Sequence, residues 1–151
     1  MKRLFVYYSF TGNGKIVSEL FEKQGFEIRE VHEKAKMPKS FFWGIMAGGF
    51  RAGLGLKGKL IDFDDDISSY DEIVIGSPIW NGRFPPATNG MLARLNLADK
   101  KVSFVVYSGS GTGKHALKRI QKEFPDAKTI FLQEPKKYPG ELEKLKEILG
   151  E

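Results

Sequence analysis

The chain is predicted to be a doubly wound α/β domain, a five-stranded parallel sheet of order 2-1-3-4-5 covered by helices on both faces. Two observations predict this. Five short apolar runs near residues 4–8, 26–31, 72–76, 102–107 and 128–132 alternate with helical patterns at about 14–24, 86–96, 114–124 and 140–149. The first run, Leu4 to Tyr8, is also continuously apolar rather than alternating, which marks a strand buried on both faces of a parallel sheet. Strand–helix alternation requires right-handed crossovers, and five strands in this length fit the doubly wound order.

The elements follow in order. Leu4-Phe5-Val6-Tyr7-Tyr8 is the first strand, and Ile16, Val17, Leu20 and Phe21 form one apolar stripe on the helix after it. Glu72-Ile73-Val74-Ile75 precedes a Gly- and Pro-rich loop, and Pro85-Pro86 is a start signal for the helix that follows. Val102 to Tyr107 is the fourth strand, and Pro139-Gly140 marks the entry to a final helix. No linker, repeat or low-complexity run interrupts the chain, so residues 1–151 are expected to form one domain.

Composition narrows the function. At 41% hydrophobic and 28% charged residues the chain is globular, and with no cysteine it has no disulfide, thiol nucleophile or cysteinyl metal site. The net charge of +5 comes from Lys and Arg scattered among acids, as in Glu141, Glu143, Lys144, Lys146 and Glu147. This is a solvated surface with a basic tilt that suits small anions, and no nucleic-acid partner is expected. No apolar stretch reaches the roughly 18–20 residues of a membrane span. The N-terminus runs straight into the first strand, leaving no room for a signal peptide, so a cytoplasmic location is expected. Asp64-Asp65-Asp66 has no further ligand cluster beside it and reads as a turn, so no metal site is expected.

In a sheet of this order ligands bind beyond the carboxyl ends of strands 1 and 3. Three unusual loops converge there. Loop one, Ser9-Phe10-Thr11-Gly12-Asn13-Gly14-Lys15, offers two hydroxyls, an amide and successive N–H groups at a helix start, which is a phosphate site. It lacks the Walker A spacing, which argues against nucleotide hydrolysis. Loop two, Gly76-Ser77-Pro78-Ile79-Trp80-Asn81-Gly82-Arg83-Phe84, places Trp80 where a flat ligand can stack, with the backbone of Asn81 and Gly82 at that ligand's edge; packing of Trp80 and Phe84 beneath the loop is the alternative. Loop three, Ser108-Gly109-Ser110-Gly111-Thr112-Gly113-Lys114, has alternating glycines that permit close backbone approach.

With these residues the chain resembles the flavodoxin-like family that binds FMN. Ser9-x-Thr11-Gly12-Asn13 resembles that family's phosphate loop, and Gly76-Ser77-Pro78-Ile79-Trp80 its first ring-binding loop. Ser108, Gly109 and Gly111 stand in the place of the second. The resemblance implies FMN bound by residues 9–15, by Pro78, Ile79, Trp80, Asn81 and Gly82, and by Ser108, Gly109 and Gly111. It implies no dedicated catalytic acid or base. Gly14 stands where the family usually has Thr, so one hydroxyl donor is missing and a backbone group or Lys15 is the expected substitute. Strong acidity is absent, and Arg83 lies near the ring loop, so the flavin is expected to be less reducing than in acidic relatives.

Two functions follow. The first is an oxidoreductase passing electrons from a nicotinamide donor to a quinone-like or other acceptor. The second is a flavodoxin-type carrier between protein partners with no small-molecule substrate. The apolar segment 41–56 resembles a Gly- and aromatic-rich insertion of some short flavodoxin-like proteins. It reads as a second crossover, as a homodimer surface, or as a lid over the flavin.

Overall fold

The computed structural model describes residues 1–34 and 57–150, and the expectations for segment 41–56 lie outside the described residues. Five parallel strands form one sheet, β1 (Arg3–Tyr8), β2 (Glu27–Val31), β3 (Glu72–Pro78), β4 (Lys101–Ser108) and β5 (Lys128–Gln133), in the order β2-β1-β3-β4-β5. The expected doubly wound fold is the observed one. β1 pairs with β2 on one side (Leu4 with Glu27) and with β3 on the other (Leu4 with Ile73), so the chain reverses direction across the sheet at β1 and β3.

Side chains along each central strand alternate between two cores. Leu4, Val6, Ile73, Ile75, Phe104 and Val106 pack on one face under α2 (Pro86–Arg94) and α3 (Lys114–Glu123), against Ala87, Met91, Ala116 and Ile120. Phe5, Tyr7, Val74, Val105 and Tyr107 pack on the other under α1 (Asn13–Lys23) and the C-terminal segment, against Val17, Phe21, Leu145 and Ile148. Both faces are covered, which is why these central strands bury apolar residues at successive positions rather than at alternate ones. Phe5 stacks on Phe21 with ring centroids 4.5 Å apart and fixes α1 to the sheet. Full burial of such a side chain contributes about 1.5–3 kcal/mol.

The last helix differs from expectation. Pro139–Leu145 is a 3-10 helix, and only Lys146–Leu149 (α4) is α-helical. The ion pairs Lys144–Glu141 (2.8 Å) and Lys146–Glu143 (2.7 Å) join residues three apart, the spacing that eclipses in a 3-10 helix. The triple aspartate makes turns: Asp66 accepts from the N–H and hydroxyl of Ser68, and Asp65 pairs with Arg94 at 2.9 Å. From Lys57 the chain crosses α2, where the Gly58 N–H donates to Pro86 O at 2.7 Å. A β-carbon on Gly90 would meet the Gly58 carbonyl oxygen, so glycine permits this crossing.

Candidate functional site

All three predicted loops lie at the carboxyl ends of β1, β3 and β4, on one edge of the sheet. Loop one is a preformed cradle of donors. Gly12 adopts φ +92° and turns the chain into α1, whose start has no side-chain cap. The Ser9 hydroxyl oxygen accepts from the N–H groups of Gly12 (3.2 Å) and Gly14 (3.0 Å). Both its lone pairs are thereby used, and among the described residues its proton has no acceptor. Thr11 is similar: its hydroxyl oxygen accepts from Asn13 Nδ2 at 3.2 Å, and its proton is unpartnered among the described residues. The N–H groups of Asn13 and Lys15 have no acceptor among them either, whereas that of Ile16 reaches Gly12 O at 3.4 Å. Two hydroxyl protons and two amide protons therefore converge at the positive end of a helix dipole, which is a donor set complementary to a phosphate.

Gly14 is fixed by packing. A β-carbon there would meet the Tyr107 hydroxyl, Tyr7 Cδ2 at 2.7 Å and Ser9 Cβ at 2.8 Å. Tyr107 does not point out toward loop three. It is 2% exposed and donates its hydroxyl proton to the Tyr8 carbonyl, tying β4 to the end of β1 directly under loop one. A threonine at position 14 has no room, and the Lys15 N–H beside it has no acceptor among the described residues.

Sequence reasoning missed Lys136. Its N–H donates to Asn13 Oδ1 at 3.0 Å, and its Nζ lies 3.6 Å from where a Gly12 β-carbon would stand. Thr11, Asn13, Glu134, Lys136 and Lys137 line one cavity of about 330 Å³ over loop one. The turn that carries Lys136 follows β5 and starts at Glu134, in the left-handed region at φ +31°, with its N–H donating to Ser108 O at 3.1 Å. The sequence separation of 123 positions between the partners hides this contact from any local pattern.

Loop two is a type I′ turn. Trp80 and Arg83 exchange N–H···O bonds of 2.9 and 3.1 Å, with Asn81 at φ +52° and Gly82 at φ +75°. The Asn81-Gly82 dipeptide is the sequence signal of that turn. Trp80 is buried, with its ring edge-on to Phe10 of loop one (5.7 Å) and to Tyr8 (6.2 Å). Phe10 itself is exposed, so the two loops meet through an aromatic platform. Pro78 and Ile79 continue out of β3, with the Ile79 N–H on Tyr107 O at 3.1 Å.

Loop three is stapled from within. Ser108 Oγ bonds both the N–H and the carbonyl of Thr112 (3.1 and 2.9 Å), so this side chain holds the loop shut. Gly111 (φ +73°) packs near Gln133, whereas a β-carbon on Gly109 would meet nothing within 4 Å, leaving its backbone open to approach.

Beside Tyr8, Glu33 Oε1 is buried without a hydrogen-bond partner among the described residues. Burial raises the Glu33 pKa above its ordinary value, and the Tyr8 hydroxyl only partly offsets this. Burial and then the Glu33 charge raise that of Tyr8 in turn. A carboxyl that keeps its proton to higher pH when folded favours folding below the ordinary carboxylate range and loses that contribution as pH rises through its folded value. Glu33→Gln is therefore expected to raise Tm at pH 7 by about 2–4 °C, the shift that roughly 1 kcal/mol gives at this size. The gain should vanish near pH 3, below the usual carboxylate range. Thermal melts at the two pH values check this, and an equal gain at both would locate the effect elsewhere.

With that geometry in place, comparison with known proteins is decisive. The model of a family described as NADPH-dependent FMN reductase matches residues 12–134, well over half the chain. The chain belongs to that family. It is an FMN-binding flavoprotein, and the donor set of loop one fits the FMN phosphate. Solved structures agree in fold. A protein from Bacteroides eggerthii assigned as a flavoprotein superposes with a TM-score of 0.76 at 18% identity, covering 99% of this chain and 98% of that one. A flavoprotein from Lactobacillus acidophilus in complex with FMN gives 0.61 at 19%, covering 92% and 97%. Oxidised flavodoxin 2 from Bacillus cereus gives 0.56 at 18%, covering 99% and 95%. No curated protein matches the sequence. Among the described residues no helix is long and apolar enough to cross a membrane.

Proposed function

We propose that this member of the FMN reductase family is an oxidoreductase that takes electrons from a nicotinamide donor and passes them to a quinone-like or other small acceptor. The observation that carries it is the set of unpartnered donors on Ser9, Thr11, Asn13 and Lys15, placed on the sheet edge where loops two and three also end. Bound FMN supplies the redox chemistry, and the protein supplies binding, orientation and electrostatics. Ser9 and Thr11 donate hydroxyl protons to the phosphate, while the N–H groups of Asn13 and Lys15 hold it at the helix start. Pro78, Ile79, Trp80, Asn81 and Gly82 form one side of the ring site with Phe10. Gly109 and Gly111 let the backbone approach from the other side, and Ser108 fixes the shape of that loop.

A donor described as NADPH for the family, together with a basic rather than acidic surface, favours direct reduction by a small molecule. The likeness in fold to a flavodoxin keeps the carrier reading in play. Flavin extraction with mass identification on untreated protein, followed by anaerobic titration, separates the two. The reductase reading expects FMN, bleached by NADPH without any partner protein. Bleaching only through an added reductase would establish the carrier reading.

A further inference from the structure

A cavity of about 520 Å³ opens between α2 and α3, well within the size range of small-molecule sites. One end adjoins loop two. Arg83, the last residue of the type I′ turn, lines its wall, and α3 is pinned to that turn by the Ala116 N–H on Gly82 O at 2.9 Å. A β-carbon on Gly82 would lie 3.3 Å from His115 Cδ2, so His115 sits at the same mouth. From there the cavity runs along the helices to Phe124.

Its chemistry is two-sided. Phe84 and Phe124 line it on either side of the fully buried Phe104, whose ring centroid lies 6.1 and 5.3 Å from theirs, which gives the cavity an apolar wall. Arg119 is held over the Phe84 ring at 5.7 Å by Asn89 Oδ1 (2.5 Å) and Glu123 (2.7 Å), so its charge is balanced and its plane fixed. Arg83 and Lys57 also line the cavity, and among the described residues neither has an ion pair or hydrogen bond from its side chain. Two cations without counter-ions among the described residues and a histidine, beside an aromatic wall, complement a ligand with a planar apolar body and several negative charges.

We propose that this groove binds the phosphorylated adenosine end of a nicotinamide dinucleotide, with the adenine against Phe124 and the Arg119 guanidinium and the phosphates on Arg83, Lys57 and His115. The inference rests on the donor reading above and places that donor's far end, with its nicotinamide lying toward loop two. A 2′-phosphate adds a dianion where Arg83 and Lys57 stand, so the groove selects the 2′-phosphorylated dinucleotide over the unphosphorylated one.

The test uses the FMN-loaded full chain. Adenosine 2′,5′-bisphosphate is titrated by calorimetry against the wild type, Arg83→Gln, Lys57→Gln and, as a control, Lys118→Gln on the exposed part of α3. Stopped-flow reduction by NADPH and NADH is recorded on the same proteins. Expected is bisphosphate binding tighter than that of 5′-AMP, weakening with salt. It should fall about fivefold or more in Arg83→Gln and in Lys57→Gln, and stay unchanged in Lys118→Gln. The apparent Kd for NADPH should rise in parallel, and that for NADH much less. Bisphosphate affinity equal in all four proteins overturns the groove, even where NADPH reduces the flavin. Loss of affinity equal for NADPH and NADH overturns the 2′-phosphate assignment. If NADPH leaves the flavin oxidised, the donor reading fails, and the bisphosphate titration alone decides the groove.

Discussion

Gly14→Thr is expected to lower stability by about 2–4 kcal/mol and to weaken FMN binding at least tenfold, although it adds a hydroxyl at the phosphate loop. The β-carbon alone causes this. It would stand against the Tyr107 hydroxyl, Tyr7 Cδ2 and Ser9 Cβ, and none of the three gives way easily. Tyr107 is fully enclosed and bonded to the Tyr8 carbonyl, and Tyr7 is packed within the second core, with its ring stacked on Phe5. Ser9 can move only by releasing the N–H groups of Gly12 and Gly14. Overpacking costs roughly 1–3 kcal/mol and each lost hydrogen bond about 1 kcal/mol more. Gly14→Ala should therefore cost nearly as much as Gly14→Thr, and Tyr107→Phe should relieve part of either. Thermal melts and flavin-fluorescence titration measure both quantities. A Gly14→Thr protein that melts with the wild type and holds FMN equally well would remove Tyr107 from beneath the loop.

Lys136→Glu is expected to weaken FMN binding by about a hundredfold and to leave riboflavin binding as it was. Lys136 Nζ lies over Gly12 at the start of α1, beside the positive end of a helix dipole, and no ion pair offsets it among the described residues. A cation in that position is unfavourable until an anion arrives. A charge-assisted contact to phosphate is worth roughly 1.5–3 kcal/mol, and reversing the charge adds repulsion. Riboflavin lacks the phosphate, so the ratio of the two affinities isolates the contact. Lys137 rests over the Tyr138 ring at 5.4 Å, and Lys137→Gln serves as the control. Equal loss of FMN and riboflavin would place the effect on the fold of the turn and not on the phosphate.

Much of the fold was legible because the central strands of a parallel sheet buried on both faces carry long apolar runs. Leu4 to Tyr8, Ile73 to Ile75 and Phe104 to Tyr107 say so locally, and the stripe of Ile16, Val17, Leu20 and Phe21 gives α1 its buried face. The final segment was less legible, since Pro139 to Leu149 carries a helical composition that does not distinguish 3-10 from α-helix. Loop two held a readable signal in Asn81-Gly82. The direction of Tyr107 was not readable, because a strand residue's partner lies on another strand.

The sequence by itself determined the strand order, the three loops at the sheet edge and the donor-rich helix start of loop one, because hydrophobic periodicity and helix-start chemistry are local properties. Tertiary structure decided what those loops are made of. It put the Tyr107 hydroxyl where a Gly14 side chain would be, Lys136 on Asn13 across 123 residues, and Arg83 at the mouth of a groove between α2 and α3. These are contacts between residues far apart in the chain, and only the packing of the sheet against its helices brings them together.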